Sequence, residues 1–173
     1  MTDQRFEEQI RQICRNNREG LRTIYEDYCP MIFSVISDIL KNRQDAEDVT
    51  SEFFIHLWDI ADTYKPGRGH RAWMITIARN MAIDYLRKRN RETPSAEIPD
   101  YLLKKHFAEE QICHKLSLEQ ALMTLKEEER QIVNLKIMGE LTFREIASLL
   151  KKPQGTVAWC YRTAIRKLRE VQS

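Results

Sequence analysis

Glycine and proline are scarce in this 173-residue chain, five of each, which argues against a sheet assembled from many tight turns. The four cysteines, Cys14, Cys29, Cys113 and Cys160, are widely scattered. No secretory-type leader is evident at the start, so free thiols in a reducing, cytoplasmic setting are expected. His106, Cys113 and His114 lack the CxxC or HxxxH spacing of a zinc site, and neither a metal nor another cofactor is expected. No apolar run approaches the length of a membrane span, so no membrane insertion is expected. A glycine-rich phosphate loop and a nucleophile–base pair are both missing, and the chain is expected not to be an enzyme.

What is present is segregated charge. Lys65 to Arg91 holds eight Lys or Arg against one acid, Asp84, and Thr142 to Ser173 holds seven against two, Glu145 and Glu170. The rest of the chain is acidic on balance. Two basic blocks in an acidic background fit two separate polyanion contacts, although solvated helix faces also look like this. The acidic remainder argues for a further, cationic partner.

Apolar periodicity predicts an all-α protein. Helices are expected over Thr2–Arg15, Gly20–Leu40, Asp45–Ala61 and Arg71–Arg89, with Leu21, Ile24, Tyr28, Ile32, Val35 and Ile39 among the stripe of the second. Pro30 interrupts that stripe, so the helix either bends there or begins afresh. Pro66, Gly67 and Gly69 punctuate a loop before the fourth helix. The stretch 91–115 contains Pro94 and Pro99, gathers acids and has no sustained apolar face, which reads as a flexible linker. Helical segments Leu116–Thr124, Glu127–Met138, Thr142–Leu150 and Gln154–Val171 are expected beyond it. The predicted organisation is therefore a domain over 1–90, a linker over 91–115 and a second domain over 116–173.

The second domain reads as a helix-turn-helix. Thr142 and Glu145 form a capping box, and Lys151-Lys152-Pro153 forces a turn. In the last helix Val157, Tyr161, Ala164 and Leu168 share a face, leaving Thr156, Ala158, Trp159, Arg162, Thr163 and Arg166 pointing elsewhere. Residues near the start of such a helix read base edges, and Lys151 and Lys152 suit phosphate. The bland alternative is a small bundle with a basic exterior.

In the first domain Asn80, Asp84 and Arg87 share a face of the fourth helix, able to neutralise phosphate and to hydrogen-bond bases. Tyr64, Lys65, Arg68 and His70 lie in or beside the preceding loop, a combination suited to single strands. Trp73 is read as core rather than as a stacking platform. Asp45, Asp48, Glu52 and Asp59 form an acidic stripe on the third helix, beside Phe54 and Trp58. That stripe admits two readings, a solvated face or an interface with a cationic protein.

Taken in order, Asp45-Ala46-Glu47-Asp48-Val49, Glu52-Phe53-Phe54, Leu57-Trp58, Tyr64-Lys65-Pro66-Gly67-Arg68-Gly69, Arg71-Ala72-Trp73 and Ile77 to Arg87 resemble the ECF group of bacterial RNA polymerase sigma factors. So do Leu125, Glu128-Glu129-Arg130, Thr142 to Ala147 and Gly155-Thr156-Val157. The resemblance implies that Asp45, Asp48, Glu52, Phe54 and Trp58 meet the coiled coil of the largest subunit of core RNA polymerase. It implies that Tyr64, Lys65, Arg68, Arg79, Asn80, Asp84 and Arg87 serve the minus-ten element as it opens. Arg144, Lys151, Lys152, Thr156, Ala158, Trp159, Arg162, Thr163 and Arg166 would meet the minus-thirty-five element as duplex. The linker would thread the RNA exit path, and relatives are commonly restrained by an anti-sigma factor. Relatives typically carry Lys or Arg directly after Gly-Thr-Val and again a few positions on. Here those places hold Ala158, Cys160 and Thr163, which shifts the expected groove contacts toward Arg162 and Arg166. The helix ahead of Gly20 lies outside the core motifs. A stand-alone helix-turn-helix regulator is the alternative, and it would not need the basic helix at Arg71–Arg91.

Overall fold

The computed structural model describes residues 1–67, 69–92, 122 and 124–171. Among the described residues there is no strand. The helices are α1 (Asp3–Cys14), α2 (Arg18–Leu40), α3 (Arg43–Ile60) with a 3-10 turn at Ala61–Thr63, α4 (His70–Glu92), α5 (Glu127–Ile137), α6 (Phe143–Leu150) and α7 (Gln154–Val171). They form two compact units, one built on α1–α4 and one on α5–α7. Most of the expected linker, and most of the expected helix at Leu116–Thr124, lie outside the described residues. The start of that linker, Arg91 and Glu92, still belongs to α4.

Local chemistry sets the helix ends. Thr2, Asn17 and Asn42 each accept a backbone N–H from the first turn of α1, α2 and α3, the usual remedy for unpaired amides at a helix start. Lys41 ends α2 in the left-handed region at φ 56°. Pro30, exposed, does not divide α2, which runs as one helix from Arg18 to Leu40. A proline there removes one hydrogen bond, and the buried Tyr28, Met31, Ile32 and Val35 around it hold the helix to its neighbours. Phe6, Ile24, Ile32, Ile36, Phe53, Leu57, Met74 and Ile75 are all under 2% exposed and come from all four helices. Each such side chain contributes about 1.5–3 kcal/mol on burial, so α1 is part of this core through Phe6, Ile10 and Ile13.

In the second unit Leu125, Val133 and Ala164 form a buried cluster, with Leu122, Tyr161 and Leu168 packed on it. The capping box is formed: Glu145 N–H donates to Thr142 Oγ1 at 3.2 Å, and Thr142 N–H donates to a Glu145 carboxylate oxygen at 2.7 Å. Lys151 takes φ 54°, and Lys152 N–H returns to the Ala147 carbonyl at 2.9 Å, a Schellman-type stop. Helix α7 then starts beyond Pro153, whose carbonyl accepts Val157 N–H at 3.2 Å. Across the unit, Lys167 Nζ donates to both carboxylate oxygens of buried Glu129 at 2.7 and 2.8 Å. Burial raises the Glu129 pKa, but Lys167 and the Lys126 amide outweigh it and the net shift is downward.

Candidate nucleic-acid and protein interfaces

Helix α3 presents a narrower face than its acidic stripe suggests. Asp45 is turned inward: it accepts from the Tyr85 hydroxyl at 2.9 Å and from Arg89 Nη1 at 2.5 Å. The hydrogen bond to Asp45 raises the Tyr85 pKa, with burial acting the same way. Phe54 is only 4% exposed, its ring against Tyr25 and Phe53 at centroid distances of 4.8 and 5.0 Å. These two residues, Asp45 from the acidic stripe and Phe54 beside it, are therefore packed into the unit. Asp48, Glu52 and Asp59 are exposed and Trp58 is half-buried. The apolar group among the acids is Ile55, 66% exposed. With Glu52, His56, Asp59 and Met81 it lines a shallow cleft of about 320 Å³. Sequence reasoning missed Ile55, although its steps of three from Glu52 and seven from Asp48 placed it on the same stripe.

The loop between the 3-10 turn and α4 is anchored from below. Tyr64, expected to face nucleic acid, is 8% exposed and packs edge-on against Phe6 and Trp73 at 5.2 and 5.1 Å. Burial raises its pKa, and its hydroxyl is buried without a hydrogen-bond partner. Its ring is thus covered in this structure, another departure from the sequence expectation. Trp73, read as core, is half-buried. His70 is 4% exposed and stacks on Phe6 at 4.6 Å. Its Nε2 receives the Tyr28 hydroxyl at 2.5 Å, and its Nδ1 pairs with the Asp3 carboxylate. Burial pushes the His70 pKa down; Asp3 opposes that, while Arg71 and the amino terminus add to it, and the net direction is down. Neutral His70 therefore donates from Nδ1 and accepts at Nε2. Burial likewise pushes Tyr28 up to about 12, which keeps its hydroxyl a donor.

Lys65 is exposed, and Gly67 and Gly69 take φ 79° and 76°, a region that costs glycine little. Arg68 lies outside the described residues. On α4, Asn80, Asp84 and Arg87 are all exposed, with Arg87 Nη1 3.3 Å from Asp84. Arg79 differs: it is half-buried, and burial lowers its pKa against the opposing pull of Asp38. Arginine keeps its charge regardless.

In the helix-turn-helix, Arg144, Lys151, Thr156, Trp159, Arg162 and Arg166 are exposed, whereas Ala158 and Thr163 are half-buried. Lys152 forms an ion pair with Glu128 at 2.7 Å, both side chains partly exposed. Cys160 is 7% exposed and burial raises its thiol pKa. It faces the core, so the lack of a basic side chain there says nothing about the groove. Among the described residues no group of three His, Cys, Asp or Glu side chains could hold a metal ion, and no helix is long and apolar enough to cross a membrane.

Two separately packed helical units, the second a helix-turn-helix, define a bipartite DNA-binding regulator. Residues 24–92 match the family model for sigma-70 region 2, and residues 121–170 match that for sigma-70 region 4. Together they span more than half of the chain, and it belongs to the sigma-70 family, as a sigma factor of the ECF group. The ECF RNA polymerase sigma factor SigK of Mycobacterium ulcerans is 26% identical over 92% of this chain and 89% of its own length. SigW of Bacillus subtilis is 26% identical over 95% and 93%. The sigma factor RpoE of Bartonella quintana, solved in complex with the anti-sigma factor NepR, superposes with a TM-score of 0.64 at 21% identity, covering 87% of this chain and 95% of that one. CnrH, solved with the cytosolic domain of CnrY, gives 0.63 at 18% identity over 97% of both chains. These two likenesses are of fold.

Proposed function

We propose that the exposed part of α3, Asp48, Glu52, Ile55, Trp58 and Asp59, docks on a cationic coiled coil of core RNA polymerase, and that the two units then divide the promoter. The loop at Lys65 and Arg68 and the Asn80, Asp84 and Arg87 face of α4 serve the minus-ten element as single strands. Helices α6 and α7 serve the minus-thirty-five element as duplex. The division of labour over 1–90 and 116–173, joined by 91–115, follows from this. Captured unstacked bases offset the cost of opening the duplex, and the protein acts as a regulator, hydrolysing no nucleotide. A cytoplasmic location and restraint by an anti-sigma factor belong to the same reading.

What supports it most is that the chain matches both sigma regions in order, each on its own compact helical unit. Transcription by purified core polymerase on genomic fragments tests it, with discrete start sites expected only when this protein is added. Tight binding of one duplex by the protein alone, with no initiation, would instead favour a stand-alone helix-turn-helix regulator.

A further inference from the structure

On the outward face of α7, Gly155, Trp159, Arg162 and Arg166 follow at steps of four, three and four, opposite the buried Val157, Cys160 and Ala164. Trp159 is 61% exposed, the most exposed large aromatic side chain among the described residues of the second unit. One turn earlier, a Cβ built on Gly155 would meet nothing within 4 Å. The helix therefore presents bare backbone and open space beside the indole, which lets a surface come close. Two exposed guanidiniums continue the same stripe, so the surface that fits it is a polyanion.

In the major groove the bases are told apart by hydrogen-bonding groups and by one apolar feature, the thymine 5-methyl. An indole has a single N–H donor and no acceptor, so it cannot make the bidentate contacts by which Arg selects guanine or Asn selects adenine. It can cover a methyl group. We propose that Trp159 makes this protein a reader of thymine in its duplex element, the indole packing on a thymine 5-methyl while Arg162 and Arg166 hold neighbouring phosphates. The inference rests on the assignment of α6–α7 to the duplex.

The test uses the full-length protein with core polymerase on a promoter chosen for specific initiation. Each thymine of the upstream element is replaced in turn by deoxyuridine, which removes only the methyl. At least one replacement is expected to weaken holoenzyme binding about four-fold, the effect of one buried methyl. Trp159→Ala is expected to lose a similar factor on the thymine template and to become indifferent to the replacement, with Trp159→Phe intermediate. Because the side chain is exposed, both variants fold, which circular dichroism checks. Insensitivity of the unaltered protein to every replacement overturns the thymine contact while leaving the sigma assignment standing. So does a Trp159→Ala variant that binds core polymerase more weakly without DNA, which would make the indole a protein contact. Failure to initiate at any specific site overturns the assignment and the thymine contact together.

Discussion

At the scale of single residues, Asp45 and Asp48 look alike in sequence and differ in consequence. Asp45 holds α3 to α4 through Tyr85 and Arg89, 40 and 44 residues away, and no local pattern announces a partner at that distance. Asp48 is exposed. Hydrogen bonds to a charged group contribute about 1.5–3 kcal/mol when partly shielded, so Asp45→Ala should destabilise the first unit by about 1–2 kcal/mol, and Asp48→Ala by less than about 0.5 kcal/mol. Urea denaturation of chains carrying Trp159→Phe measures this, because the remaining Trp58 and Trp73 both report the first unit. Equal effects from the two alanines would remove the distinction. His70 gives a pH dependence whose sign follows from its burial. Its folded pKa lies below the ordinary imidazole value of 6.5, so the unfolded chain takes up its proton first as pH falls. Stability from this group is present above that value and is lost on acidification through it toward the lower folded pKa. Melting temperature should therefore drop between pH 7.5 and pH 5.5, and His70→Gln should flatten that slope.

At the scale of elements, the ends and the inward faces of the helices were legible because they depend on neighbours three or four residues away. The Thr142–Glu145 box and the buried face of Val157 and Ala164 formed as their spacing requires. What spacing could not convey was the job of α1. It lies outside the core motifs, yet Phe6 touches Tyr64, His70 and Trp73, the base of the loop assigned to promoter opening. Its approach to α2 depends on Gly20, where a Cβ would stand 2.5 Å from the Gln9 carbonyl oxygen and 2.8 Å from Gln12 Cβ. Backbone cannot move aside as a side-chain tip can, so Gly20→Ala should cost about 1–3 kcal/mol, the usual range for overpacking. Hydrogen exchange should locate the loosening in α1 and the 3-10 turn. Uniform protection in α1 of the variant would show that the two helices separate without strain.

For the whole molecule, the question is whether holding polymerase and opening DNA can be damaged independently. The exposed part of α3 and the exposed face of α4 are built from different residues, and neither set carries the core. Joining Asp48→Arg with Ile55→Glu reverses one charge and removes the apolar centre of the acidic face. A central apolar anchor is commonly worth 2 kcal/mol or more, so core-polymerase affinity should fall at least about thirty-fold with the melting temperature unchanged. Asn80→Ala should do the opposite: the holoenzyme assembles with unaltered affinity, yet open complexes decline about tenfold, in line with one lost base contact of 1–3 kcal/mol. Fluorescence titration with core polymerase reads the first quantity and permanganate reactivity of unpaired thymines reads the second. Should Asn80→Ala lower both in proportion, α4 would be acting through polymerase rather than on the strand. The two faces would then have to be treated as one surface.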